Sequence, residues 1–562
     1  MTRRFLQHDL RQVRNLCGIW DFAFLGDVDP DSVNLDSIEY NDHMAVPGSF
    51  DATPAYAGKR GLAAYRRFVV LPDTAPYRLV FGGVHHWCRV YANEKQITEH
   101  VGGFTRFAAD IKGPGEVEII VLVDNRFDYQ RCPLHLEYMD WYHYGGITRP
   151  VELHRLGSLW IDALRLTTAD YQTRQIDIVI DYGAAAAPGK TELVITWGRD
   201  VLLSESVDLQ EAQGRIKRTV KLEGAALWSP DAPNLHNVRV RLGEDDLRER
   251  IGIRQVRAEG QQILINDAPV RLLGFNRHES HPQFGAAVPD AMMVSDIQQL
   301  KDMGCNFVRG SHYPQDEHFL DLCDENGILV WDEATGWQQT AEHLTDEHYL
   351  KAAIGNINAM MAVAYNHPSV ILWGILNESH SHDKTCRPAY ERLLGHIREQ
   401  DSSRLLTYAS NHPFDDVCLD LVDVVSINAY PGWYHEDIAY IPTHLDNIVA
   451  HLDESGQGDK PLIISEIGAG AIPGWRDWNE TRWSEQYQAA LLDKVIETMF
   501  VQRKRYAGLA IWQFCDIRTS EQVGRVLGRP RGFNNKGVVD EYRRSKLAYD
   551  VVKARFRALR GL

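Results

Sequence analysis

The sequence predicts a multidomain protein in which two β-sandwiches precede a (β/α)₈ barrel. With 562 residues the chain is too long for one hydrophobic core, and typical domain sizes predict roughly three or four domains. Two regions of short strands come first, and from about residue 260 strands alternate with helical segments. We therefore expect domains at residues 1–156, 157–257 and 258–562.

Short strands bounded by turn formers fill the first two regions. Residues 116–123 are almost all apolar and end at Asp124-Asn125, while residues 91–95 have the composition of a hairpin connection. Residues 175–181 place isoleucines on one face of a strand in the second region. About a hundred residues of this pattern are typical of an immunoglobulin-like sandwich.

Continuous apolar runs in the third region indicate parallel strands that are buried on both faces. Roughly 300 residues of strand and helix alternation fit a (β/α)₈ barrel. A doubly wound open sheet is the alternative, but no G-x-G-x-x-G turn supports nucleotide binding. The runs lie at residues 306–309, 328–331, 370–375, 424–427, 462–464 and 509–512, with helical segments such as 290–303 and 388–400 between them.

The composition excludes several classes of partner. A net charge of −17 argues against nucleic acid and against a membrane surface, and any anionic ligand must meet a local basic patch. Arg3 and Arg4 are not followed by the apolar segment of a signal peptide. No stretch approaches the ~20 apolar residues of a membrane span, so we expect a cytoplasmic protein.

Cysteine and histidine spacing predicts neither a disulfide framework nor a metal site. The eight cysteines are scattered and form no C-x-x-C pair, which indicates free thiols. The pairs His85-His86, His278 with His281, and His380 with His382 lack a four-ligand spacing. We therefore expect no metal and no cofactor.

Polar residues at the strand ends predict the chemistry, because barrel active sites lie at the carboxyl ends of the strands. Hydrolysis of a glycoside with retention needs two carboxyl groups about 5–5.5 Å apart. Glu378 and Glu466 follow two different apolar runs and can supply that pair. The alternative for either glutamate alone is a salt-bridged or capping residue. Aromatic side chains such as Trp512 would stack on sugar faces.

Several motifs together resemble glycoside hydrolase family 2 over essentially the whole chain. The resemblance implies a jelly-roll sandwich for the first domain, Glu378 as acid/base, Glu466 as nucleophile and Asn377 as a ligand of the sugar 2-hydroxyl. His278 and His312 lie in motif segments as partners of the sugar. The motifs are Gly102-Gly103-Phe104-Thr105, Gly274-Phe275-Asn276-Arg277-His278-Glu279, Ser311-His312-Tyr313-Pro314, His367-Pro368-Ser369-Val370 with Trp373 and Asn377-Glu378, and Ser465-Glu466.

Within the family, the chain is similar to members that hydrolyse β-glucuronides. Asn534-Asn535-Lys536 resembles an N-x-K motif that binds the uronate carboxylate, Tyr430 and Tyr434 resemble paired site tyrosines, and Asp140 resembles a sugar-contacting aspartate of the first domain. The implied partners are a terminal hexuronide, as a small molecule or an oligosaccharide, and further copies of the chain in a dimer or tetramer.

The charge pattern points to the same segment without the resemblance. Residues 525–539 carry Arg525, Arg529, Arg531 and Lys536 and no acid, directly after the eighth predicted strand. Such a stretch suits a carboxylate ligand, with Arg529 or Arg531 in support of Lys536. A solvated basic loop is the alternative.

Two departures from the family pattern keep other substrates open. The segment between Glu333 and His367 is short, which implies a more open site, and residues 528–533 differ from the usual approach to the N-x-K motif. The first alternative is a β-galacturonidase, or an enzyme that accepts both uronides, because galacturonate differs from glucuronate only at the 4-hydroxyl. A β-galactosidase of the same family is the next alternative. A non-catalytic carbohydrate-binding protein is disfavoured because binding alone needs neither carboxylate.

Overall fold

The structure, a computed structural model, describes residues 3–136, 139–520 and 526–562, and its first domain is an antiparallel β-sandwich. Side chains of both sheets, among them Phe22, Tyr65, Leu79 and Val151, share one buried core. The predicted sandwich is therefore confirmed. One sheet contains Gln12–Asn15, Val151–Arg155, Pro76–Phe81 and Phe107–Lys112, and the other Asp42–Val46, Gly18–Gly26, Leu62–Leu71, Gly115–Asp124, Trp87–Ala92 and Lys95–Val101.

A second, smaller sandwich follows between Leu159 and Ile251. Ile178 and Ile180 from one sheet pack against Leu193, Ile195 and Val240 from the other, because alternate residues of each strand point inward. The three-stranded sheet contains Leu159–Asp170, Gln175–Ala184 and Gln213–Lys221. The four-stranded sheet contains Asp200–Leu209, Gly189–Trp197, His236–Leu242 and Asp245–Ile251.

Eight parallel strands then close into a barrel, so the predicted (β/α)₈ architecture is confirmed and the open sheet is wrong. Nearly every residue of these strands is buried, as expected for strands covered on both faces. In chain order, the strands are Leu272–Arg277, Phe307–Gly310, Leu329–Glu333, Val370–Asn377, Leu405–Ser410, Val425–Asn428, Leu462–Glu466 and Tyr506–Ile511.

Helices surround the barrel. Asp316 and Asp346 cap two of them by accepting hydrogen bonds from backbone N–H groups of the first turn. The α-helices are Asp290–Asp302, Glu317–Asn326, Ala341–Leu344, Glu347–Ala364, Arg387–Gln400, Ile441–Glu454, Glu485–Ile496 and Leu547–Arg560, and a π-helical turn spans Glu497–Gln502. No helix in the described part of the chain has both the length and the apolar character needed to cross a membrane.

The two ends of the barrel are closed differently. A small sheet of Val256–Glu259, Gln262–Ile265 and Ala268–Val270 packs Ile263 and Ile265 into the amino-terminal end. The first domain docks beside the carboxyl-terminal end, where Phe104 stacks on Tyr313 with 3.7 Å between ring centroids. Arg149 reinforces this contact with an ion pair of 2.9 Å to Glu279. The docking brings Asp140 and Trp141 to the barrel mouth.

All eight cysteines are free, as the sequence predicts. Seven of them are buried, so they behave as small core residues.

Candidate active site

A cavity of about 370 Å³ opens at the carboxyl-terminal end of the barrel. Its volume falls in the range of small-molecule sites, about 300–1,000 Å³. The structure brings together eight of the residues predicted for the site: Asp140, His312, Glu378, Tyr430, Tyr434, Glu466, Trp512 and Lys536. Arg529, one of the two arginines predicted to support Lys536, also lines the cavity, as do three residues that were not predicted: Trp337, Gln338 and Asn428.

Glu378 is held between two carboxamides. It directly follows the strand Val370–Asn377 and has a positive φ of 48°, which turns the chain at the barrel rim. Asn428 donates to its Oε1 at 3.0 Å, and Gln338 donates to its Oε2 at 3.0 Å. Both oxygens therefore have neutral donors.

Glu466 ends the strand Leu462–Glu466 and has stronger donors. Arg309 donates to its Oε1 at 2.9 Å, and the Tyr430 hydroxyl donates to its Oε2 at 2.6 Å. Burial and the nearby charge of Glu378 raise the pKa of Glu466 to about 8, while Arg309 and Tyr430 oppose the shift. The charges of the two glutamates are therefore coupled, which disfavours the ionisation of both at once.

Arg309 connects Glu466 to the barrel wall. Its guanidinium is fully buried, pairs with Glu333 and donates to the amide oxygens of Asn276 at 3.0 Å and Asn377 at 2.8 Å. Burial raises the pKa of Glu333 to about 7, against the opposing charge of Arg309. Arg309 ends the apolar run at residues 306–309, and Glu333 lies two residues after the run at 328–331. These positions were the available signal for both residues.

Asn377, His278 and His312 lie against the cavity wall. The Oδ1 of Asn377 accepts from Arg309 and Asn428, while its buried Nδ2 has no hydrogen-bond partner within the described ranges. His312 lines the cavity, and burial next to Arg309 lowers its pKa far below 6.5. His278 lies one layer deeper, with its ring edge on Trp512 at 5.4 Å between centroids.

The other end of the cavity carries positive charge. The Lys536 ammonium is almost fully buried, lies 5.0 Å from the Tyr434 ring centroid and donates to the Tyr434 hydroxyl at 2.9 Å. No carboxylate of residues 3–136, 139–520 or 526–562 forms an ion pair with it. Burial lowers the pKa of Lys536, and the charge of Arg529 adds to the effect. An uncompensated ammonium in this position favours an anionic ligand.

Arg529 lies beside Lys536 and is partly neutralised. It pairs with Asp140 at 2.6 Å, and Asn534 donates to the same carboxylate oxygen at 3.0 Å. Lys536 and Arg529 together exceed Asp140 by one positive charge. The pKa of the Tyr434 phenol is lowered, because these two cations outweigh the burial that alone would raise it.

Arg531 does not reach the cavity. Its guanidinium forms a two-point ion pair with Glu541, at 3.0 and 2.9 Å, and faces away from Lys536. Of the two arginines predicted to support Lys536, the structure therefore places Arg529, and not Arg531, at the cavity. Arg525 lies outside the described residues.

Comparison with known proteins places this geometry in a family. Residues 256–560 match the model "Glycosyl hydrolases family 2, TIM barrel domain", and residues 167–254 match "Glycosyl hydrolases family 2". A β-glucuronidase of Paenibacillus borealis is 28% identical, with 97% of each chain covered. A GH2 β-galacturonidase from Eisenbergiella tayi, solved with galacturonate, is 35% identical, covers 99% of both chains and has a TM-score of 0.92. A β-glucuronidase of an uncultured Clostridium sp. is 28% identical over 98% of both chains, with a TM-score of 0.85.

The coupling of the buried Glu466 to Glu378 predicts a pH-dependent cost in stability. An acid with a higher pKa in the folded than in the unfolded state binds more protons when folded, so stability falls as pH rises between the two values. For Glu466 this window runs from about 4.5 to about 8. We expect the stability of Glu466→Gln relative to the wild type to increase as the pH rises from 5 to 8, by on the order of 2 kcal/mol.

Denaturant unfolding of both proteins across this range measures the difference. The exposed Glu342→Gln serves as the control and should show no pH-dependent gain. A difference between Glu466→Gln and wild type that is constant with pH would contradict the coupling.

Proposed function

The chain belongs to family 2 of the glycosyl hydrolases, and we propose that it is a retaining β-glucuronidase that hydrolyses terminal β-D-glucuronides through a covalent glycosyl-enzyme intermediate. One observation carries the choice of sugar: the buried Lys536 ammonium faces the cavity that holds Glu378 and Glu466. A glucuronide offers a carboxylate to that ammonium, whereas glucose and galactose offer none. β-Glucuronidases at 28% identity, aligned over nearly the whole chain, support the same sugar.

In the first step, the Glu466 carboxylate attacks the anomeric carbon. The bond from that carbon to the aglycone oxygen breaks, and Glu378 gives its proton to the departing oxygen. The donors support this division of roles. Arg309 and the Tyr430 hydroxyl favour a negative charge on Glu466, whereas Glu378 has only carboxamide donors, as suits the acid of the pair.

In the second step, Glu378 acts as a base. It removes a proton from a water molecule, whose oxygen attacks the anomeric carbon and releases Glu466. The unpaired Nδ2 of Asn377 is our proposed donor to the sugar 2-hydroxyl, because its Oδ1 is already held by Arg309 and Asn428. Such a bond can strengthen as charge develops at the neighbouring carbon.

The uronate carboxylate is proposed to bind at the other end of the cavity. Lys536 would donate an ionic hydrogen bond to this carboxylate. Arg529 and Asn534 lie nearby, and both donate hydrogen bonds to Asp140. Trp512 and His312 form the adjoining wall, with 5.2 Å between their ring centroids. Arg531 has no part in this proposal, because Glu541 already binds its guanidinium.

We further propose that the enzyme acts in the cytoplasm. Eight free cysteines, seven of them buried, fit a reducing compartment in which thiols persist.

The two carboxyl roles predict different responses to the leaving group. We expect Glu378→Gln and Glu466→Gln each to lower turnover of an alkyl glucuronide by several orders of magnitude without unfolding the protein. For Glu378→Gln the loss should shrink with a nitrophenyl leaving group, which needs little protonation. Glu466→Gln should lose as much with either substrate, because attack at the anomeric carbon is removed in both.

Steady-state rates of both variants on both substrates test the assignment, with the exposed Glu342→Gln as the control. Activity near the wild-type level in either active-site variant would reject that residue's role.

A double displacement predicts retention at the anomeric carbon. Two inversions in sequence return the sugar to its starting configuration, so the β-glucuronide should first release the β-anomer. Proton NMR during the first turnovers, before mutarotation, reads the configuration directly. The α-anomer as first product would make Glu466 a base instead of a nucleophile.

The proposed role of Lys536 predicts selective damage to uronide hydrolysis. An ionic hydrogen bond of about 1.5–3 kcal/mol corresponds to a loss of roughly 10- to 150-fold in kcat/KM on a glucuronide in Lys536→Ala. The matching glucoside never makes this bond, so its residual hydrolysis should change little. The exposed Lys384→Ala is the matched control for loss of a lysine. Equal losses on both substrates would assign Lys536 a structural role and leave the two glutamates in place.

β-Galacturonide is the second candidate substrate, favoured by the solved β-galacturonidase at 35% identity and a TM-score of 0.92. The two sugars share the carboxylate that Lys536 would bind and differ only at the 4-hydroxyl. We expect kcat/KM for p-nitrophenyl β-D-glucuronide to exceed that for the β-D-galacturonide. A reversed order would assign the enzyme to galacturonides, with the mechanism unchanged.

A further inference from the structure

Three buried histidines of the first domain come together away from the catalytic cavity. His86, His135 and His143 each offer a ring nitrogen, and these atoms all lie within 4.8 Å of one another. The ring centroids form a nearly equilateral triangle, with separations of 4.7, 4.9 and 4.7 Å. Side-chain movements of less than about 1 Å would bring all three nitrogens to the 2.0–2.1 Å of an imidazole–metal bond.

Hydrogen bonds within the described part of the protein do not satisfy all the nitrogens of these rings. Neither ring nitrogen of His86 has a hydrogen-bond partner within the described ranges. Burying polar nitrogens without partners is costly, so such groups call for a ligand. Two other groups of potential metal ligands are already used, since Arg3 pairs with Asp321 and the backbone N–H groups of residues 9 and 10 bind Asp246.

The chemistry of the group suits a soft transition-metal ion. The Met139 thioether lies 2.6 Å from Nε2 of His143 and offers a fourth, soft donor. Imidazole and thioether ligands suit Zn²⁺ and Cu⁺. The nearby Arg60 guanidinium disfavours a second positive charge, and so favours Cu⁺ of the two.

We propose that His86, His135 and His143 bind one Zn²⁺ or Cu⁺ ion, which fastens the segment carrying Asp140 and Trp141 to the first domain. His143 stacks on Trp141, with 5.0 Å between ring centroids, and Trp141 in turn packs on His312 and Trp337 of the cavity wall. An ion bound here would stabilise the position of Trp141 against the cavity wall without contacting substrate.

Metal content of the full chain tests the proposal directly. Tag-free protein is stripped with a chelator and reloaded with Zn²⁺, or with Cu⁺ under reducing, oxygen-free conditions. Mass spectrometry then counts bound metal, and X-ray absorption identifies its ligands. We expect one equivalent of at least one of these metals, three nitrogen ligands near 2.0 Å, and a rise in Tm of about 2 °C or more on loading.

Two ring-for-ring substitutions give the matched comparison. His135→Phe keeps the ring but removes both nitrogens, and we expect at least a tenfold loss of metal affinity. His100→Phe changes another largely buried histidine, which stacks on Phe107, and should bind metal like the wild type. Less than a tenth of an equivalent of either metal in the wild type would overturn the proposal, even if His135→Phe fails to fold. Unchanged binding by a folded His135→Phe would overturn it as well.

Discussion

The catalytic end of the barrel depends on one buried cation, Arg309. From the second barrel strand it reaches Asn276, Glu333, Asn377 and Glu466, which belong to four other strands. Its single positive charge is shared between the carboxylates of Glu333 and Glu466, so it cannot neutralise both of them. Burial and the nearby charge of Glu378 raise the pKa of Glu466, and the shared cation offsets this shift only in part. Burial of an unpaired guanidinium would be prohibitive, so the arginine and its acids require one another.

At the other end of the cavity, positive charge is likewise only partly neutralised. Lys536 is surrounded by Tyr430, Trp433 and Tyr434, whose ring faces stabilise an ammonium without neutralising it. Asp140 forms an ion pair with the neighbouring Arg529. The protein thus keeps a desolvated positive charge ready for an anionic ligand, at some expense in folding stability. Two local charge imbalances, one acidic and one basic, fit the two ends of a uronide.

Most of the fold and about two thirds of the site could be predicted. Periodicity alone distinguished the sandwiches from the barrel, and strand ends identified Glu378 and Glu466. The choice between Arg529 and Arg531 could not be made, because both lie in the same basic stretch and only the fold shows Glu541 beside one of them. Gln338 and Trp337 follow no apolar run, so no pattern placed them in the cavity. The group of three histidines was not predicted, because its members lie up to 57 residues apart in the chain.

The sequence by itself determined the order of domains, the barrel and the pair of strand-end carboxylates, because each is encoded by local periodicity or by position at the end of an apolar run. Tertiary structure decided which charges compensate which. The contacts of Arg309 with Glu466, of Arg529 with Asp140, and of Lys536 with the Tyr434 phenol all join distant segments of the chain. Electrostatic energy depends on separation and burial, and neither quantity can be read from residues that lie a hundred or more positions apart.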